Sequence, residues 1–234
     1  MQNSKETVKR VVIIGAGGHG REVSEILMQQ SEDCAVSVLG FIDDEPRLSG
    51  QIINGLPVLG NWSWFENRSR DEIEIVCAIG LPEVRRRLVE RATALGVSFG
   101  DAISGVANIS RSAKIGRGVM IFPNTVVSTD CRIGDHSVIN SGATISHDSL
   151  IGGYVTINPG VHVAGNVSIG EGCYLGVGSS VIHGVSIGAW TVIGGGAVVT
   201  QDLPENVIAV GVPARVIKTK EEGLNERTTS RTGE

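Results

Sequence analysis

Aromatic side chains are scarce in this sequence, 4% of 234 residues, and charged ones account for only 19%. A compact core of ordinary type uses more Phe and Tyr, so the aliphatics must be packed in another way. Cysteine is sparse too. Cys34, Cys77, Cys131 and Cys173 lie far apart with no CxxC pair, which points to reduced, buried thiols. No apolar run approaches the roughly 20 residues of a membrane helix, so no membrane partner is expected. Met1 to Arg10 is polar and lacks the apolar centre of a signal peptide, which makes the cytoplasm the expected compartment. A net charge of −5 gives no support to nucleic-acid binding, which needs a concentrated basic surface. Glycine, by contrast, fills 32 positions, enough for a chain that turns often.

From Ile103 every sixth residue is Ile, Leu or Val, without interruption to Val199. Neither a helix nor a two-faced strand produces a strict period of six. A second stripe, four residues past each anchor, is small or β-branched and runs from Ala107 to Ala197. A coil of short strands with tight corners accepts both stripes, with aliphatics stacked inward and small residues where the chain turns. Glycine directly after an anchor, as at Gly116, Gly134 and Gly152, is expected to supply backbone freedom at the corners. Cys131 and Cys173 fall on the small stripe.

The preceding hundred residues read differently. Lys9 to Ile14 is an apolar strand leading into Gly15-Ala16-Gly17-Gly18-His19-Gly20, after which Val23, Ile26 and Leu27 share one helical face. Strand, glycine loop and helix together form a phosphate cradle from backbone amides and a helix N-terminus. A second strand, Ala35 to Ile42, ends in Asp43-Asp44, near where a Rossmann unit places its ribose-binding carboxylate. A third run, Ile73 to Ile79, ends at Gly80, and Pro82 opens a helix closed by Gly96. Arg85, Arg86 and Arg87 in that helix read as a solvated face. About three strands suit one nucleotide better than two. The expected organisation is an α/β Rossmann-like nucleotide-binding domain over 1–101, an all-β hexapeptide-repeat parallel β-helix over 102–219, and a disordered polar tail over 220–234.

Of the five histidines, His136, His162 and His183 read as surface residues at corners or edges, and His19 as either an exposed loop side chain or a diphosphate contact. His147 differs, because Asp148 follows it directly. A carboxylate bonded to one ring nitrogen fixes the tautomer and favours a base at the other. A zinc lyase would need three convergent imidazoles. His147 and His162 are fifteen residues apart, not a whole coil of eighteen, so no metal site is expected.

The rows IGRGVM, IGDHSV, IGGYVT, IGEGCY and IGAWTV resemble the hexapeptide signature of left-handed parallel β-helix acyltransferases. Together with Gly15–Gly20, Gly40-Phe41-Ile42-Asp43-Asp44, Ala78-Ile79-Gly80, Asn140 to Asp148, Ala164–Val167 and Gly211–Ala214, the whole chain resembles the nucleotide-amino-sugar acetyltransferases of the NeuD and PglD type. The resemblance implies a homotrimer that moves acetyl from acetyl-CoA to the 4-amino group of a UDP- or GDP-linked amino-deoxy sugar for surface glycans. It implies His147 as general base and Asp148 as its orienting acid. Nucleotide-sugar contacts are implied at Gly17, Gly18, His19, Asp43, Asp44 and Gly80, with Asn140 near the reacting sugar. Acetyl-CoA contacts are implied at Thr156, Val177 and Gly195. The chain departs from the family's pattern at Thr156, often a histidine there, at Gly80-Leu81-Pro82 and at Ser104-Gly105. Transfer to a sialic acid hydroxyl, and a nucleotide-sugar-binding protein without turnover, are the alternative readings.

Overall fold

The computed structural model describes residues 9–33, 36–65 and 73–220. Cys34 and all but Lys220 of the expected tail lie outside these residues. The first part is a six-stranded sheet in the order β3-β4-β2-β1-β5-β6. Its strands are β1 (Lys9–Ile14), β2 (Val36–Ile42), β3 (Ile52–Ile53), β4 (Leu56–Gly60), β5 (Ile73–Cys77) and β6 (Ser98–Phe99), with helices α1 (Gly18–Asp33) and α2 (Pro82–Ala94). All pairings are parallel except the β3–β4 hairpin. The sheet is thus wider than three strands. Its additions are short strands at both edges and β4, which the sequence, interrupted by Gly50, Gly55 and Gly60, does not display as a long apolar run.

From Ala102 onward the chain winds through two-residue strands, each with its anchor second, from Ala102–Ile103 to Val198–Val199. Register advances eighteen residues per coil, for example Met120 on Val138 and Val138 on Thr156. Three parallel faces result. Face A carries 102–103, 120–121, 138–139, 156–157, 174–175 and 192–193, face B starts at 108–109, and face C at 114–115. The anchors from Ile121 to Val199 form one buried column, each contributing about 1.5–3 kcal/mol. The small stripe also satisfies polar groups. Ser137 Oγ donates to the Gly152 carbonyl (2.9 Å), Cys131 Sγ to that of Ser146 (3.1 Å) and Thr191 Oγ1 to that of Pro204 (2.8 Å). Cys77, Cys131 and Cys173 are free and buried.

The corners correct one expectation. Positive φ occurs three residues past each anchor from Ile115 to Ile193, at Gly118, Asn124, Asp130, His136, Gly142, Asp148 and onward every six residues to Gly196. The glycines directly after anchors adopt no such conformation. They are required because the next coil passes too close. A Cβ on Gly134 would lie 2.5 Å from the Gly153 nitrogen, and one on Gly152 2.7 Å from that of Glu171.

The α/β part sits on face A. The outward residues there, Ala102, Met120 and Val138, are fully buried and share a cluster with Val11, Ile13, Val23 and Phe41. The corresponding residues of face C, Arg132, Leu150 and Ser168, are exposed. Arg85 joins the two parts. Its side chain is buried (0% exposed), against the solvated face expected for it. Arg86 and Arg87 are exposed, Arg86 bonded to Glu90 (2.9 Å) and lying 5.4 Å from the Trp190 ring.

Candidate active site

A cavity of about 400 Å³ opens where the glycine loop meets face A, lined among others by Gly17, Gly18, His19, Asp43, Gly80, Asn158 and Tyr174. The loop's shape follows from its glycines. A Cβ on Gly20 would collide with the Gly15 carbonyl, whereas Gly17 faces open space. Asp43 braces the loop: Oδ2 accepts from the Ala16 amide (2.8 Å) and Oδ1 from that of Glu45 (2.9 Å). Asp44 turns to another task. It lies 3.6 Å from Arg91 Nη1, whose guanidinium stacks 4.6 Å from the Trp62 ring, and it does not line the cavity.

His19 is neither an exposed loop side chain nor a charged one. Its ring stacks on Phe122 of the coil, centroids 5.0 Å apart. Burial, helped by the Arg85 charge, pushes its pKa down to about 4. Among the described residues its Nε2 is buried without a hydrogen-bond partner, at the wall of a cavity able to receive a ligand. His136 is half-buried between Phe99 and Tyr154 rather than a free surface group, and burial lowers its pKa.

Asn140 is buried, its Nδ2 donating to the Ile157 carbonyl (3.0 Å), one coil before the cavity. Asn158, eighteen residues on, repeats that bond to Leu175 (2.7 Å) and lines the wall. Asn158 and Tyr174 escaped the sequence reading. Their signal is face A itself, whose outward residues separate from the others once positions are sorted by eighteen. Thr156 is 1% exposed. Its hydroxyl donates to the Gly80 carbonyl (2.7 Å) and accepts from Arg85 Nη2 (3.0 Å), so it is committed inside the chain rather than presented to a coenzyme. Val177 is exposed and Gly195 lies beside its backbone, one coil on.

His147 and Asp148 stand on a different corner. His147 Nδ1 lies 2.8 Å from Asp148 Oδ2, and the side chains are 56% and 60% exposed. An ionised carboxylate only accepts, so Nδ1 carries the proton, and in neutral imidazole Nε2 is the free lone pair. Among the described residues Nε2 has no hydrogen-bond partner. Asp148 holds its place with φ of 60°, a conformation Asp tolerates. Gly165 lets the ring pass: a Cβ there would lie 2.7 Å from Nε2. His183, two coils on at the same corner, brings its ring centroid to 6.4 Å, a neighbour the sequence reading did not anticipate. The strands of face B separate this corner, 146–148, from the cavity's corner, 158–160. The structure therefore brings together Gly17, Gly18, His19, Asp43 and Gly80, and separately His147 with Asp148.

Comparison with known proteins agrees with the fold, an α/β part followed by a hexapeptide-repeat coil. Residues 10–92 match the PglD N-terminal domain model, and residues 112–147 match the bacterial transferase hexapeptide (six repeats) model. GDP-perosamine N-acetyltransferase of Caulobacter crescentus is 37% identical with a TM-score of 0.83, covering 89% of this chain and 97% of that one. The chain belongs to the hexapeptide-repeat sugar acetyltransferases. Within that family, the acetyltransferase domain of PglB from Neisseria gonorrhoeae, solved with acetyl coenzyme A, is 32% identical with a TM-score of 0.81, covering 89% of this chain and 99% of that one. The Caulobacter enzyme has been captured with CoA and GDP-perosamine together, in forms that include histidine variants. A 125-residue stretch, 53% of this chain, is 31% identical to an uncharacterised protein of Acanthamoeba polyphaga mimivirus and spans 24% of that protein. Among the described residues, no helix of this sugar acetyltransferase is long and apolar enough to cross a membrane.

Proposed function

We propose that this acetyltransferase moves acetyl from acetyl-CoA to the 4-amino group of a nucleotide-linked amino-deoxy sugar in surface glycan synthesis, with His147 as general base. The observation that carries this reading is the His147–Asp148 pair, 2.8 Å apart with Nε2 unengaged. Asp148 holds the tautomer, and Nε2 takes the proton as the amine attacks the thioester carbonyl. Carbon–nitrogen bond formation is matched by carbon–sulfur cleavage, and CoA leaves as the thiol. The cavity under the glycine loop takes the nucleotide, where backbone amides of the loop and the α1 N-terminus face a diphosphate. Similarity to an enzyme solved with GDP-perosamine makes a GDP-linked sugar the first acceptor to try.

The cavity and His147 lie at different corners of one chain, and His147 is half-exposed, a wet setting for acyl transfer. The reading therefore includes a homotrimer in which the base of one subunit meets the sugar held by its neighbour. Val177 and Gly195, on the cavity's corner, would then flank the coenzyme between subunits. Replacing His147 by Ala should lower kcat by about 10²–10⁴-fold while acetyl-CoA and nucleotide-sugar binding persist. Steady-state thiol release with calorimetric binding checks this, and an unchanged kcat removes His147 from the role.

A further inference from the structure

Arg85 is a buried cation that makes no ion pair among the described residues, Glu83 acting on it only from beyond contact distance. Its Nε donates to the His136 carbonyl (2.7 Å), its Nη1 to those of Ile79 (2.6 Å) and Gly80 (3.1 Å), and its Nη2 to those of Tyr154 (2.6 Å) and Val155 (3.3 Å) and to Thr156 Oγ1 (3.0 Å). Among the described residues no carboxylate pairs with it. A buried charge without an ion pair is costly, and a neutral side chain would suffice if the only need were to fill space between helix and coil. The acceptors show what the charge is placed to hold. Ile79 and Gly80 form the cavity wall. The Ile79 side chain packs against the glycine loop, where a Cβ on Gly15 would lie 2.8 Å from its Cδ1. On the other side, Tyr154, Val155 and Thr156 belong to the coil. Thr156 completes the link through its own bond to the Gly80 carbonyl (2.7 Å).

We propose that Arg85 and Thr156 act as positioning residues: they fix the Ile79–Gly80 wall to the coil, so that the nucleotide-linked acceptor is aimed from a cavity whose register is set by face A. The unpaired guanidinium also gives the wall a positive charge, which a diphosphate in the cavity would answer. Its reach is visible at His19, whose proton affinity it helps to lower. Thr156 thus acts on the acceptor side of the reaction, not on the coenzyme. The proposal rests on the acceptor reading given above only for the identity of the sugar.

The test compares wild type with Thr156→Val, which keeps the volume and removes the hydroxyl, with Thr156→Ser as rescue and Arg85→Lys as a second variant. Thr156→Val should raise KM for the nucleotide sugar about tenfold and leave KM for acetyl-CoA unchanged. Thr156→Ser should return it to near the wild-type value, and Arg85→Lys should move it in the same direction as Thr156→Val. A shift in the acetyl-CoA KM alone, or a lower Tm with every kinetic constant intact, would overturn the proposal. If wild type acetylates no nucleotide sugar, the acceptor reading has failed, and calorimetry with GDP and UDP decides the positioning role. Weaker binding by Thr156→Val supports it and equal binding overturns it. Binding of neither nucleotide by wild type overturns both.

Discussion

Stacked on Phe122 and largely buried at the cavity wall, His19 has its pKa pushed down to about 4 in the folded protein. In the unfolded chain it takes up its proton near 6.5, the ordinary value for histidine. Below that pH the unfolded state binds a proton that the native state refuses, so stability is full above 6.5 and falls as the pH drops toward 4. The shift is worth up to about 3 kcal/mol. Urea unfolding of wild type and His19→Gln between pH 7 and 4 should show wild type losing up to that much more stability, and a pH-independent difference would contradict the buried, neutral ring. The histidines also show why single residues resisted reading. His147 announces itself through the adjacent Asp148. His19 does not reveal that its neighbour is Phe122, a hundred residues on. Arg85 is followed by Arg86 and Arg87 and so looks like part of a solvated run; its burial comes from the phase of α2 against the coil, a contact between distant segments.

At the level of elements, the corners divide glycine into two kinds. Glycines right after an anchor are there for space. The third residue after an anchor is there for its left-handed backbone, and Asn or Asp fills it at Asn124, Asp130 and Asn166. Gly152→Ala should therefore cost about 1–3 kcal/mol through collision with the coil above. Gly184→Asn, at φ of 75° with nothing near its Cβ position, should change stability by less than about 0.5 kcal/mol. Thermal unfolding of the two variants checks this, and equal losses would mean the corners do not follow the division. The coil was legible because an unbroken period of six has few structural solutions. The reason for its glycines was not, since period alone cannot separate a steric need from a conformational one. The edge strands of the α/β sheet were missed because two-residue strands leave no pattern, and β4 because glycines bracket it.

For the whole molecule, the decisive fact is that the cavity under the glycine loop and the His147 corner are a full face apart in one chain. The proposed sharing of the site between subunits of a trimer makes a distinct prediction. Two inactive chains, one carrying His147→Ala and the other a Gly17→Val block in the cavity, should recover activity when co-expressed as mixed trimers. Random assembly should give about a quarter of the wild-type rate. No recovery in verified mixed trimers would place base and cavity in one subunit. The docking of the α/β part on face A was open to sequence in principle, because Ala102, Met120 and Val138 are apolar where face C has Arg132 and Ser168. It emerges only when the sixfold repeat is sorted into three faces. The most direct test of the central claim is thiol release from acetyl-CoA by purified protein, with GDP- and UDP-linked 4-amino-4,6-dideoxy sugars alongside free sialic acid. Turnover on a nucleotide-linked 4-amino sugar is the predicted result. Turnover on sialic acid alone, or on no acceptor by protein that binds acetyl-CoA, would contradict it.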